Sequence, residues 1–128
     1  MSQLHGTFCW NELNTRDPDG AAHHYASLMG WQIETAPMAD GSNYHVAMRG
    51  DTPVAGIFDM RPHAFMNGMP DHWFSYIAHD DVDRAVTDFE AAGGAVRRPA
   101  FDVPGTGRIA IVVDPIGAVI GLMTPGTM

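Results

Sequence analysis

Two short runs of this chain hold the side chains best placed to do chemistry. Thr-Phe-Cys-Trp-Asn-Glu-Leu-Asn at 7–14 sets Trp10, Glu12 and Asn14 two residues apart, and His-Trp-Phe-Ser-Tyr at 72–76 does the same with His72, Phe74 and Tyr76. In an extended strand, residues two apart share a face. A carboxylate, an imidazole and a phenol would then stand among aromatic rings, which makes Glu12, His72 and Tyr76 the candidate catalytic residues, as an acid/base pair or as ligand anchors. The plainer reading is a buried Glu12 held by backbone donors and a His72 at an exposed strand start.

The remaining polar groups offer less. His45 alternates within another strand-like run, His23 lies opposite the apolar stripe of a helical segment, His24 is intermediate, and His63 and His79 sit in loop or cap contexts. Arg108 could counter an anionic ligand, although a lone arginine at a strand start is usually solvated. Gly105-Thr-Gly107 precedes a strand rather than a helix, so it is no phosphate loop, and neither a nucleophile triad nor a paired-cysteine site is visible.

Composition narrows the partners. Among 128 residues, 45% are hydrophobic and 17% charged, enough for one domain with a real core. Seven basic against fifteen acidic residues give a net charge of -8, which repels a phosphate backbone and argues against nucleic acid. The single cysteine, Cys9, can form no internal disulfide and no basic-then-apolar leader opens the chain, so a reducing cytoplasm is expected. No apolar run approaches the roughly 20 residues of a membrane span.

The elements that must position these residues are written twice. Moving residues 81–95 back along the chain lays Asp81, Ala85, Phe89 and Gly94 on Asp17, Ala21, Tyr25 and Gly30. A similar shift lays Gly105-Thr-Gly-Arg on Gly41-Ser-Asn-Tyr, and Val119-Ile-Gly-Leu-Met123 on Val54-Ala-Gly-Ile-Phe58. In the first copy, 7–14 is a strand and Asp17-Pro18 starts a helix, since Asp17 can accept from first-turn amides and proline loses nothing there. Gly30 ends that helix, and strands follow near 31–36, 43–48 and 53–60. In the second copy, 72–78 is a strand and Asp80 or Asp81 caps a helix with Val82, Ala85, Val86, Phe89 and Ala92 on its apolar face. Gly93-Gly94 closes it, and strands near 95–98, 108–113 and 118–123 complete the set. Residues 61–71 lack either period, carry Met60, Met66 and Met69 in or beside them, and read as a linker between modules at about 6–61 and 71–124. The expected fold is α+β, two tandem βαβββ modules forming curled mixed sheets around a concave pocket.

This paired layout, with Asp17-Pro18, Tyr25, Gly30-Trp31 and later Asp114-Pro115-Ile-Gly117, resembles the vicinal oxygen chelate superfamily, which includes glyoxalase I, bleomycin-resistance proteins and extradiol dioxygenases. The His72-Trp73 to Tyr76 run followed by Asp80-Asp81, Pro104-Gly105 and Asp114-Pro115-Ile-Gly117 looks most like its small, hydroxylase-like bacterial members. The resemblance implies a divalent metal held by His, Gln or Glu from the first and last strands of each half. Here those positions correspond to Trp10, Phe74, Gly56 and Gly121, and none of these side chains ligates a metal. The expectation is therefore a protein with no metal and no cofactor that binds a small, partly aromatic molecule. Its lining would be Trp10, Glu12, Phe58, Phe74, Tyr76 and Met123, with room left by Gly56 and Gly121, and acid/base chemistry is an extension of that reading. A twofold homodimer is expected from the family's open sheet edges. The rivals are a metal-dependent lyase, isomerase or dioxygenase with a displaced ligand set such as Glu12, His72 and His45, and an interaction module without a pocket.

Overall fold

The computed structural model describes residues 2–103 and 106–126, so Pro104 and Gly105 of the motifs above lie outside the described residues. The elements run β1 (Phe8–Thr15), α1 (Pro18–Met29), β2 (Gln32–Pro37), β3 (Asn43–Arg49), β4 (Thr52–Asp59), a 3-10 turn (Ala64–Met66), β5 (His72–Ala78), α2 (Val82–Ala91), β6 (Ala95–Val103), β7 (Gly107–Val113) and β8 (Val119–Pro125). This is the α+β, twice-repeated βαβββ order that the internal repeat predicts. The chain divides into two compact units, Trp10–Phe74 and the residues up to Cys9 together with those from Ser75 on.

In the first unit the strand order is β2-β3-β4-β1. β1 runs parallel to β4 with Glu12 opposite Gly56 and Asn14 opposite Phe58, while β3 is antiparallel to both β2 and β4. Asp17 caps α1 by accepting from the Gly20 amide at 3.0 Å, Pro18 fills the first turn, and Gly30 ends the helix in the left-handed region at φ 72°, where glycine carries no Cβ penalty. One face of the sheet meets α1, where Leu13, Ala22 and Ile57 form the core and Ala21, Tyr25 and Ile33 pack around it. That contact fixes the phase of β1: Leu13 faces the helix, so Trp10, Glu12 and Asn14 face away from it.

The second unit repeats the plan with strand order β5-β8-β7-β6 and a larger core of Val82, Ala85, Ala110, Val112 and Leu122 beneath α2. Burying a side chain such as Val82, 1% exposed, contributes about 1.5–3 kcal/mol. Asp81 is the residue that caps α2, accepting from the Arg84 amide at 3.2 Å, whereas Asp80 accepts from the Ser2 amide. Ala92 is the C-terminal cap and is exposed, not part of the apolar face. β6 runs on to Val103, past the expected end at 98. Pro99 is accommodated because β6 is an outer strand whose register with β7 shifts on both sides of Arg98, and a proline that cannot donate does no harm at such an irregularity. Arg108 does not await an anion: its guanidinium holds Asp83 of α2 at 2.9 and 3.1 Å and Asp102 of β6 at 3.1 Å, which keeps the Asp83 carboxyl below the usual range.

The segment read as a linker is anchored at several points. Arg16 reaches Asp71 at 3.0 Å and the Met66 carbonyl at 3.3 Å, and Met60 and Met66 are buried. Thr15 donates to Asp71 at 2.7 Å, and this bond, ahead of the Arg16 contacts, holds the Asp71 carboxyl low.

Candidate functional site

The helix-free face of the first unit brings the sequence candidates together around a residue that the sequence did not single out. Tyr44 lies on β3, and its hydroxyl donates to Glu12 Oε1 at 2.8 Å and accepts from Trp10 Nε1 at 3.1 Å. Glu12 and Trp10 are both half-buried. The hydroxyl sits over Gly56, where an added Cβ would overlap Tyr44 Oη and Cζ. The expected room at Gly56 is thus occupied: the missing side chain makes way for the Tyr44 ring rather than for a ligand. The pairing of Val46 with Gly56 across β3 and β4 puts Tyr44, two residues from Val46, on this face, and that register is a tertiary fact rather than a sequence signal.

His45, the next residue, points the other way. It is 6% exposed, with Nε2 2.9 Å from Asp19 Oδ1 on α1 and Nδ1 2.8 Å from Thr35 Oγ1 on β2. The displaced ligand set of Glu12, His72 and His45 is therefore not assembled, since Glu12 and His45 occupy opposite faces of one sheet. A one-residue step on a strand reverses the direction of the side chain.

His72 is also committed, to the Pro70 carbonyl and to Asn14. Its Nδ1 lies 2.8 Å from the Pro70 carbonyl and its Nε2 3.3 Å from Asn14 Nδ2. A carbonyl only accepts, so Nδ1 carries the proton, and in the neutral ring Nε2 accepts from the Asn14 amide. Asn14 is 3% exposed, and its Oδ1 has no hydrogen-bond partner among the described residues. An unpaired buried acceptor costs about 1–3 kcal/mol. Around these groups, Phe74 meets His72 edge-on at 6.4 Å between ring centroids, and Phe58 lies against His63 at 4.6 Å with the rings tilted by 32°. Trp73, between His72 and Phe74, turns to the helix side, where its indole donates to the Tyr25 hydroxyl at 3.2 Å.

The other two expected lining residues belong to the second unit, on the face turned away from α2. Tyr76, 5% exposed, lies opposite Gly121, and Met123, 6% exposed, has its sulfur 3.9 Å from Cys9 Sγ. Burial raises the Cys9 thiol above its ordinary value.

The four positions where the resemblance implies metal ligands do not fit a metal. Trp10 offers only an N–H donor, already engaged by Tyr44, Phe74 offers none, and Gly56 and Gly121 have no side chains. Among the described residues no group of three or more His, Cys, Asp or Glu side chains converges.

A duplicated βαβββ unit, with each four-stranded sheet covered by one helix and carrying aromatic and polar residues on the other face, defines the class. The chain belongs to the Glyoxalase/Bleomycin resistance protein/Dioxygenase superfamily, whose sequence profile matches residues 7–122. It is 40% identical over 120 residues to a Mycobacterium bovis protein named "Putative glyoxylase CFP32", covering 94% of this chain and 44% of that protein. It is 32% identical over 133 residues to "Anthracycline biosynthesis protein DnrV" of Streptomyces peucetius, covering 96% of this chain and 48% of that one. The chain thus spans about half the length of the curated relatives it matches. In fold it is similar to Streptomyces coelicolor methylmalonyl-CoA epimerase, with a TM-score of 0.70 at 18% identity over 97% of this chain and 96% of the other. No helix among the described residues is long and apolar enough to cross a membrane.

Proposed function

We propose that this chain binds a small, partly aromatic organic molecule without a metal or cofactor, against the helix-free face that carries Trp10, Glu12, Phe58 and Phe74. The observation that supports this reading is the Trp10–Tyr44–Glu12 chain of hydrogen bonds, which fixes a carboxylate in one orientation among aromatic rings. Small-molecule sites combine apolar walls with a few fixed polar groups in this way. The name of the Streptomyces peucetius relative, which refers to anthracycline biosynthesis, is consistent with a ring-bearing ligand. Tyr76 and Met123 of the second unit remain proposed lining residues, and the assembly remains a proposed homodimer. Of the three acid/base candidates, Glu12 is the one held on this face by the Trp10–Tyr44 hydrogen bonds, and we propose it as the proton acceptor.

The test is calorimetric titration with 2-naphthol and with an anthracyclinone. Glu12→Gln should weaken binding by about 1–3 kcal/mol while the fold survives, because one charge-assisted hydrogen bond is lost. Unfolding of the variant, or unchanged affinity in a folded variant, would make Glu12 structural and end this reading.

A further inference from the structure

We infer that Asn14 Oδ1 is a recognition atom and that the ligand carries a hydroxyl or N–H donor on or beside its ring, so that phenols and aromatic alcohols are favoured over ethers, quinones and aromatic carboxylates. The inference rests on the proposed binding face and deepens it. Asn14 shares that face with Glu12 and Trp10, because the intervening Leu13 lies in the α1 core. Its amide polarity is set by a chain of obligations. The Pro70 carbonyl requires a proton on His72 Nδ1, the neutral ring then offers a lone pair at Nε2, and Asn14 Nδ2 must donate to it. What remains is Oδ1, an acceptor in a 3% exposed side chain with no partner among the described residues.

The neighbouring polar groups have the same polarity. Glu12 presents a carboxylate, which only accepts, and the Tyr44 hydroxyl has spent its proton on Glu12 and a lone pair on Trp10. A ligand on this face therefore meets acceptors at Glu12 and Asn14 and has to bring the protons itself. An anionic ligand would also be repelled by the Glu12 carboxylate. Phe58, the cross-strand partner of Asn14, is partly exposed, and a ligand reaching Oδ1 would have to displace its ring while leaving the His72 hydrogen bonds in place.

The experiment compares three probes of one shape family, 2-naphthol, 2-methoxynaphthalene and naphthalene, by calorimetry on the full chain and on Asn14→Leu, with Asn14→Ala in reserve if the leucine variant does not fold. The expected result is a preference for 2-naphthol over both other probes of on the order of tenfold in the native protein, falling to about twofold in the variant. Equal binding of all three probes to the native protein overturns the inference and leaves the binding face standing. A naphthol preference that survives in the variant assigns the donor to another acceptor and also overturns it. No binding of any probe up to its solubility overturns the inference together with the proposed function beneath it.

Discussion

The contact between Tyr44 and Gly56 gives the sharpest quantitative test of how the first unit is built. In Gly56→Ala the new Cβ cannot coexist with the Tyr44 ring end, so the ring must swing away and abandon both Glu12 and Trp10. Losing a hydrogen bond to a charged group costs about 1.5–3 kcal/mol and a neutral one about 0.5–1.5 kcal/mol. All three partners are only half-buried and can recover water, so the low ends apply, and about 2 kcal/mol is expected. Tyr44→Ala loses the same bonds plus part of an aromatic side chain, about 2–4 kcal/mol. In the double variant the methyl group meets no ring, and a strand alanine is no worse than glycine. The double variant should therefore match Tyr44→Ala alone, with a coupling of about 2 kcal/mol. Urea unfolding of the four proteins, with slopes checked for constancy, measures each term. Additive costs, with Gly56→Ala as damaging without Tyr44 as with it, would refute the account of Gly56 as the seat of the tyrosine.

Three further outcomes are expected. The Asp59 carboxyl is held low chiefly by hydrogen bonding from Arg61, so its contribution is present above the unfolded carboxylate value of about 4 and is lost as pH falls below it. Asp59→Asn should flatten that acid limb in urea midpoints, and unchanged pH dependence would count against it. Light scattering at micromolar concentration should give the mass of a dimer, and a monomer would remove the assembly proposal. Protein prepared without a histidine tag should contain well under one divalent metal per chain by elemental analysis, and added Zn or Ni should leave its melting temperature unchanged, because an ion bound only to the native state would raise it. Stoichiometric metal abolished by Glu12→Ala would instead favour the metal-dependent alternative.

What was legible in the sequence follows from where the physics is local. Asp17, Pro18, Gly30 and Asp81 act within one turn of their own position, so they marked the helix ends correctly. β5 was placed at 72–78 because its aromatic alternation is self-contained. The extension of β6 through Pro99 was hidden, since a proline is tolerated there only because β6 lies on the outside, a fact of topology. The direction of His45 and the importance of Tyr44 were hidden for a related reason: the phase of β3 is decided by which face meets α1, and neither residue announces it. The occupant of Gly56 is invisible in the sequence because the ring that fills the space comes from a neighbouring strand.

The amino-terminal residues have a consequence for how the chain is made. Gly6 donates to the Ala78 carbonyl, Ala78 donates back to Thr7, and Ser2 reaches Asp80, so this segment finds its partners some seventy residues later. The unit from Trp10 to Phe74 is continuous and has its sheet, helix and core complete once those residues have left the ribosome. The second unit cannot close until β5 appears. During synthesis at about 5–20 residues per second, Gly6 and Thr7 therefore wait roughly 4–14 seconds for Ala78, while the unit from Trp10 to Phe74 completes its own sheet in between.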